Sequence, residues 1–398
     1  MRLFLSVLMI AATSAAAAAQ EVTVTGLDGT QWSGALTGLD AAAAHVDTGN
    51  EPADIPLNDI AEITWAGCNA NAADVDGALF LLNGGGRLTG ALTDGGSEQL
   101  TARTAESDQV VLRYADLAGV VLRSDENRAA RKLFDEALAD RLPGHDVLIA
   151  LDDEPKALRG RLQSLGPEEG AFVFSGRARA FRTSKVYGVV FAKAAADQPA
   201  ESARIELARG DRFTARKLQF ADGVLRVTTT FGAAWTIPAD DLCAVRWDNP
   251  RVVYLDTLPT ERESTAGILH PTWPIVRNAN VLHGPLRVGG KTYAHGIGVH
   301  ARTELTWALG GAYAVFAAEI GIDDAVGAGG NAVFTVLGDG RQLYTSGPVS
   351  GREDARLVRL PVDDVDKLTL LVEPAANLDV GDWADWASAR VILPKATP

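Results

Sequence analysis

Two histidines, an arginine and a carboxylate fall within twelve residues, Tyr293-Ala294-His295-Gly296-Ile297-Gly298-Val299-His300-Ala301-Arg302-Thr303-Glu304. The same part of the chain holds Trp273, Trp383 and Trp386. Such a set suits a sugar. A sugar offers hydroxyls, which pair with planar polar side chains, and a C–H face, which packs on an aromatic plate. The candidate contacts are Trp273, Tyr293, His295, His300, Glu304 and Trp383. Trp273 lies in an irregular stretch, His270-Pro271-Thr272-Trp273-Pro274, and loop aromatics are better placed to bind than strand aromatics. Each has a plainer alternative. His300 follows a Gly turn and can cap a loop, and Glu304 can pair with a neighbouring Arg.

Catalytic constellations do not stand out. G-x-S-x-G, H-E-x-x-H, G-x-x-x-x-G-K and C-x-x-C are absent. The acid pairs Asp152-Asp153, Asp323-Asp324 and Asp363-Asp364 read as solvated turns. His270, His283, His295 and His300 match no zinc spacing. The expectation is binding without catalysis.

The Tyr293–Glu304 stretch has companions in order. Phe316 to Asp324 ends in Gly321-Ile322-Asp323-Asp324, Val333 to Gly340 ends in Gly338-Asp339-Gly340, and Leu368 to Val372 is apolar. Last comes Asp379-Val380-Gly381-Asp382-Trp383-Ala384-Asp385-Trp386-Ala387. This series resembles the NPCBM domain, also called the family 51 carbohydrate-binding module, over roughly residues 251–394. Trp383 stands where the family often has His, and Ser388 where it often has Asp, while the resemblance places Trp386 at a core position. The resemblance implies a β-sandwich of jelly-roll type, recognition of galactose-containing glycans by some members, and often a structural calcium. Calcium takes about six to eight oxygens, and Asp379 and Asp382 are the candidate ligands, with Asp323 and Asp324 behind them.

The elements ahead of this module are repeats. Four copies of one pattern occupy residues 20–66, 77–123, 146–192 and 203–248. Each alternates apolar and polar residues in short runs bounded by Gly or Asp, the hairpin signal. Each closes on apolar-x-Asp-apolar or a near variant, as in Asn58-Asp59-Ile60, Ala115-Asp116-Leu117 and Asp240-Asp241-Leu242. Five short strands per copy predict small SH3-like or Sm-like barrels, with four propeller blades as the alternative. Val22 to Val147 and Ala78 to Ala203 are each 125 residues apart, so the larger repeat is a pair of copies. Between the pairs, residues 125–142 predict an amphipathic helix with Ala130, Leu133, Phe134, Ala137 and Leu138 on its apolar face. Asp248-Asn249-Pro250 marks the boundary with the module. The fold class is all-β: tandem small barrels, one connecting helix, then a jelly-roll sandwich.

The first 19 residues, with Arg2, an apolar run and a small-residue end, predict a secretory signal peptide. The chain is thus expected to be secreted or periplasmic, without a membrane span. A formal charge of −14 argues against a nucleic-acid partner. Cys68 and Cys243 can pair or remain two buried thiols. The expected partner is a glycan. The alternatives are a structural protein of the envelope whose barrels bind another envelope protein, and an accessory chain of a glycoside hydrolase.

Overall fold

The computed structural model describes residues 21–68, 77–123, 127–193, 202–266, 273–376 and 380–395. The predicted signal peptide, Asp379 and His270 lie outside them. The chain divides near Asp248 into two compact units, with Thr25–Gln31 belonging to the second.

In the first unit, each copy has five strands, with a single 3-10 turn between the fourth and fifth. In the second copy the strands are Ala78–Leu82, Arg87–Gly95, Gln99–Arg103, Val110–Arg113 and Leu117–Val121. Consecutive strands pair as hairpins. The fifth then returns to the first, Val120 opposite Phe80. The third and fourth copies close in the same way, Leu148 opposite Val189 and Ile205 opposite Val245. The alternation seen in the sequence places Phe80, Leu88, Leu100, Leu112 and Leu117 inside, all fully buried.

Each fifth strand also pairs outside its own copy. Ile60–Trp65 of the first copy runs beside Leu242–Trp247 of the fourth, Val245 opposite Ile63. Leu117–Val121 of the second runs beside Val186–Val190 of the third, Val120 opposite Val189. The first and fourth copies are further joined by a Cys68–Cys243 disulfide, with Cα atoms 5.3 Å apart. A polar clamp joins the second and fourth. Asp211, fully buried, accepts from the Thr89 amide (2.9 Å), the Thr89 hydroxyl (2.8 Å) and Arg209 Nε (3.0 Å), while Arg209 pairs with Glu106.

The helix spans Arg128–Ala139, inside the expected 125–142. Asn127 caps it by accepting from the Ala130 amide at 3.0 Å. Its apolar face meets the third copy: Ala130 and Phe134 are buried with Ile149, Tyr187 and Val190, and Leu133, Ala137 and Leu138 pack around them. The Phe134 ring rests on two strand glycines. A Cβ on Gly188 would lie 2.9 Å from that ring and 2.5 Å from the Val120 carbonyl oxygen. Gly188→Ala is therefore expected to cost about 1–3 kcal/mol, read as a lowered thermal midpoint; an unchanged midpoint would mean that this contact is not tight.

The second unit is a β-sandwich. One sheet orders Val276–Arg277, Gly296–His300, Trp383–Ile392, Val315–Ile322 and Arg356–Pro361, and Val252–Tyr254 also pairs with Trp383–Ile392. The other orders Arg262–Thr265, Thr303–Ala308, Lys367–Pro374, Asn331–Gly338 and Arg341–Ser350. Ile297, Val299, Phe316 and Trp386 from the first sheet meet Leu305, Trp307, Phe334 and Leu370 from the second in one core. Trp386 stands edge-on to Phe334 with centroids 5.1 Å apart, the core place expected for it. Among the described residues no helix is long and apolar enough to cross a membrane.

Candidate carbohydrate-binding site

The strand Gly296–His300 carries one predicted residue at its far end and follows another at its near end. It pairs with Trp383–Ile392, so His300 sits opposite Trp383. Trp273 lies flat on the His300 ring, with centroids 4.9 Å apart and planes 4° apart. It leans against Trp383 at 6.2 Å and 57°. His300 is buried, whereas Trp273 and Trp383 are half-buried. The floor of this cluster is fixed by bonds to backbone carbonyls. Thr303 Oγ1 donates to the His300 carbonyl at 2.6 Å, and the Ala301 amide donates to the Asp382 carbonyl at 3.0 Å. The Asp382 carboxylate is fully buried and accepts the Asn331 amide at 2.7 Å.

The other predicted contacts lie elsewhere. A strand rises about 3.3 Å per residue, so His295 and His300 stand roughly 16 Å apart. Near the first end, His295 stacks on Tyr254 at 3.9 Å and 9°, and its Nδ1 is 3.1 Å from the buried Asp256 carboxylate. Tyr293 is buried beside Leu286, Val288 and Ala387, and burial pushes its hydroxyl up to about 12. Glu304 lies on the second sheet, 3.5 Å from Arg262. The closeness in sequence predicts that Tyr293 and His295 converge with Trp273 and the 379–383 loop; among the described residues they lie apart from Trp273 and Trp383 instead. Their closeness in sequence is spent along the length of a strand.

The acidic pair Asp323-Asp324 holds turns. Asp323 accepts from Asn280 Nδ2 (3.1 Å) and from the amides of Ala325 (2.9 Å) and Arg287 (3.2 Å). Asp324 accepts from the amides of Gly289 (3.0 Å) and Gly290 (2.8 Å). These oxygens face N–H donors, and no three His, Cys, Asp or Glu side chains converge among the described residues.

Asp385 is the residue that the sequence did not mark. Its carboxyl is buried, faces Asp323, and finds no donor in hydrogen-bond geometry. Burial first, then the charge of Asp323 beside it, push it well above the usual carboxylate range, with Asp324 adding to the rise and the Arg287 amide opposing it. The native state therefore keeps a proton that the unfolded chain gives up above about pH 3.9. Stability contributed by this proton is full below that pH and is lost as pH rises through the raised folded value. Asp385→Asn, neutral at every pH, is expected to flatten that slope and to be at least as stable as the parent at neutral pH. Parallel midpoint-against-pH curves for the two proteins would contradict this.

The family model described as NPCBM/NEW2 domain matches residues 251–392. A 108-residue stretch is 38% identical to a putative endo-alpha-N-acetylgalactosaminidase of Renibacterium salmoninarum. That match covers 27% of this chain and only 7% of that protein. A solved CBM51 module from Clostridium perfringens GH95, in complex with methyl-galactose, is 24% identical, with 35% of this chain and 99% of that chain covered and a TM-score of 0.33. The tandem CBM51 modules of the family 98 glycoside hydrolase of Streptococcus pneumoniae SP3-BS71 are 14% identical, with 94% and 100% covered and a TM-score of 0.32.

Proposed function

We propose that this chain is an exported glycan-binding protein that performs no catalysis, with the sugar held at the Trp273–His300–Trp383 end of the sandwich. The observation that carries the reading is the ring cluster itself: two half-buried indoles, inclined at 57°, around a buried imidazole. One open ring face takes the C–H side of a sugar, and the second limits how the sugar turns. The carbohydrate-binding family matched at residues 251–392 supports the reading and makes galactose-containing or related glycans the first to test. A structural calcium held by Asp379 and Asp382 remains part of the proposal, Asp379 lying outside the described residues.

A second reading follows from the relative named as a glycosidase: the chain assists a glycoside hydrolase by holding its substrate. Both readings need the same site. The test is a glycan array probed with the whole chain and with Trp273→Ala. Selective binding that disappears in the variant is expected; equal array profiles would contradict the site.

A further inference from the structure

The third copy departs from its siblings at one strand. The residue before the 3-10 turn is Pro56 in the first copy, Arg113 in the second, Arg182 in the third and Pro238 in the fourth. Three positions earlier on the core side stand Val110 and Trp235, both buried, in the second and fourth copies. The corresponding pair position in the third is Arg179, beside the buried Phe172, and it is exposed. Arg177, two residues before it, stands opposite the half-buried Phe174. The strand Arg177–Arg182 is thus an arginine row where its siblings are apolar inside.

It is also an edge. It pairs with Glu169–Phe174 on one side, and no pairing on the other is found among the described residues. The Thr183 amide donates to the Glu168 carbonyl at 2.9 Å. Because antiparallel pairs alternate between bonded and non-bonded, the amides of Ala178, Ala180 and Arg182 point outward. In the first and fourth copies a proline removes the outward donor at the Arg182 position, a common way to blunt an edge. The third copy keeps every donor. Arg159, Arg161, Arg177, Arg179 and Arg182 are exposed and make no ion pair among the described residues, although Glu169 sits across the ladder from Arg182. This row stands out in a chain of net charge −14.

We propose that the edge strand Arg177–Arg182 is a docking site for an extended acidic peptide segment of another protein, which adds to the sheet as a further strand. The free amides bond its backbone, and acidic side chains at alternate positions meet Arg177 and Arg179. The period decides the ligand class. Alternate residues of a strand repeat every 6.6 Å or so, on both the arginine row and an added peptide, and only a polypeptide uses the outward amides as well. A polyanionic polysaccharide would use the charges alone.

The test uses the whole chain and a fluorescent nonapeptide alternating Glu and Val. Anisotropy is expected to report saturable binding that weakens with salt. R177E/R179E is expected to weaken it at least tenfold. Ala180→Pro, which removes an outward amide and leaves the arginines, is expected to do the same. Should Ala180→Pro fail to fold by circular dichroism, the same peptide N-methylated at alternate residues asks the question from the ligand side, and it is expected to bind at least tenfold more weakly. Absence of binding would overturn the proposal. So would full binding of the N-methylated peptide, or of the peptide to folded Ala180→Pro; polygalacturonate competing equally well would then mark a plain polyanion site.

Discussion

Cys243→Ser is expected to destabilise the repeat unit by roughly 2–5 kcal/mol. The disulfide closes a loop with a sequence separation of 175 residues, which puts it among the longer closures. In the chain-entropy view, a cross-link acts mainly by limiting the unfolded chain, and the gain grows slowly with loop length. The native contacts do not depend on the bond alone, since Ile60–Trp65 and Leu242–Trp247 pair beside it. The variant should therefore fold but melt earlier. In a unit of this size each kcal/mol shifts the midpoint by about 2–4 °C. Thermal unfolding of the parent with and without reductant should show the same loss as the variant. An unchanged midpoint in both would mean that the first and fourth copies are held by their strands alone.

Trp273→Ala and Asp382→Ala are expected to separate binding from stability. Trp273 is half-buried and packs on His300 and Trp383 at the surface of the sandwich. Its loss should weaken glycan binding at least tenfold, about 1.4 kcal/mol, and leave the midpoint nearly unmoved. Asp382 is different. Its carboxylate is buried and accepts the Asn331 amide, so removal leaves that donor without its charged acceptor. Hydrogen bonds to charged groups contribute about 1.5–3 kcal/mol, and Asp382→Ala should lower the midpoint accordingly. Binding should weaken too, because the lost carboxylate anchors the loop to Asn331 and Trp383 follows it in the chain. The reverse result, a stable Asp382→Ala and an unstable Trp273→Ala, would mean that the ring cluster is core and the loop is surface.

Much of the fold was legible because strands and hairpins are local. Alternation marked the runs, Gly and Asp marked the turns, and the 3.6-residue pattern marked the helix with its buried Phe134. The family blocks marked the module. What was not legible depends on pairing between distant segments. Whether Cys68 meets Cys243 turns on the first copy lying beside the fourth, which no local pattern states. Tyr293 and His295 were grouped with His300 by sequence distance, but a strand carries neighbours apart at full extension. Asp385 meets Asp323 because Gly321 lies opposite Asp385 in the sheet, joining segments far apart in the chain. Aromatic type alone also could not separate the buried Tyr293 from the half-buried Trp273 and Trp383.

The most direct test of glycan binding at the Trp273–His300–Trp383 cluster is calorimetric titration of the whole chain with a galactose-terminated oligosaccharide, or with the strongest array ligand. Trp273→Ala and His295→Ala would be titrated beside it. The expected result is saturable binding by the parent, at least tenfold weaker binding by Trp273→Ala, and unchanged binding by His295→Ala, roughly 16 Å away along the strand. Binding that survives Trp273→Ala and fails in His295→Ala would contradict the assignment and move the site to the Tyr254–His295–Asp256 end.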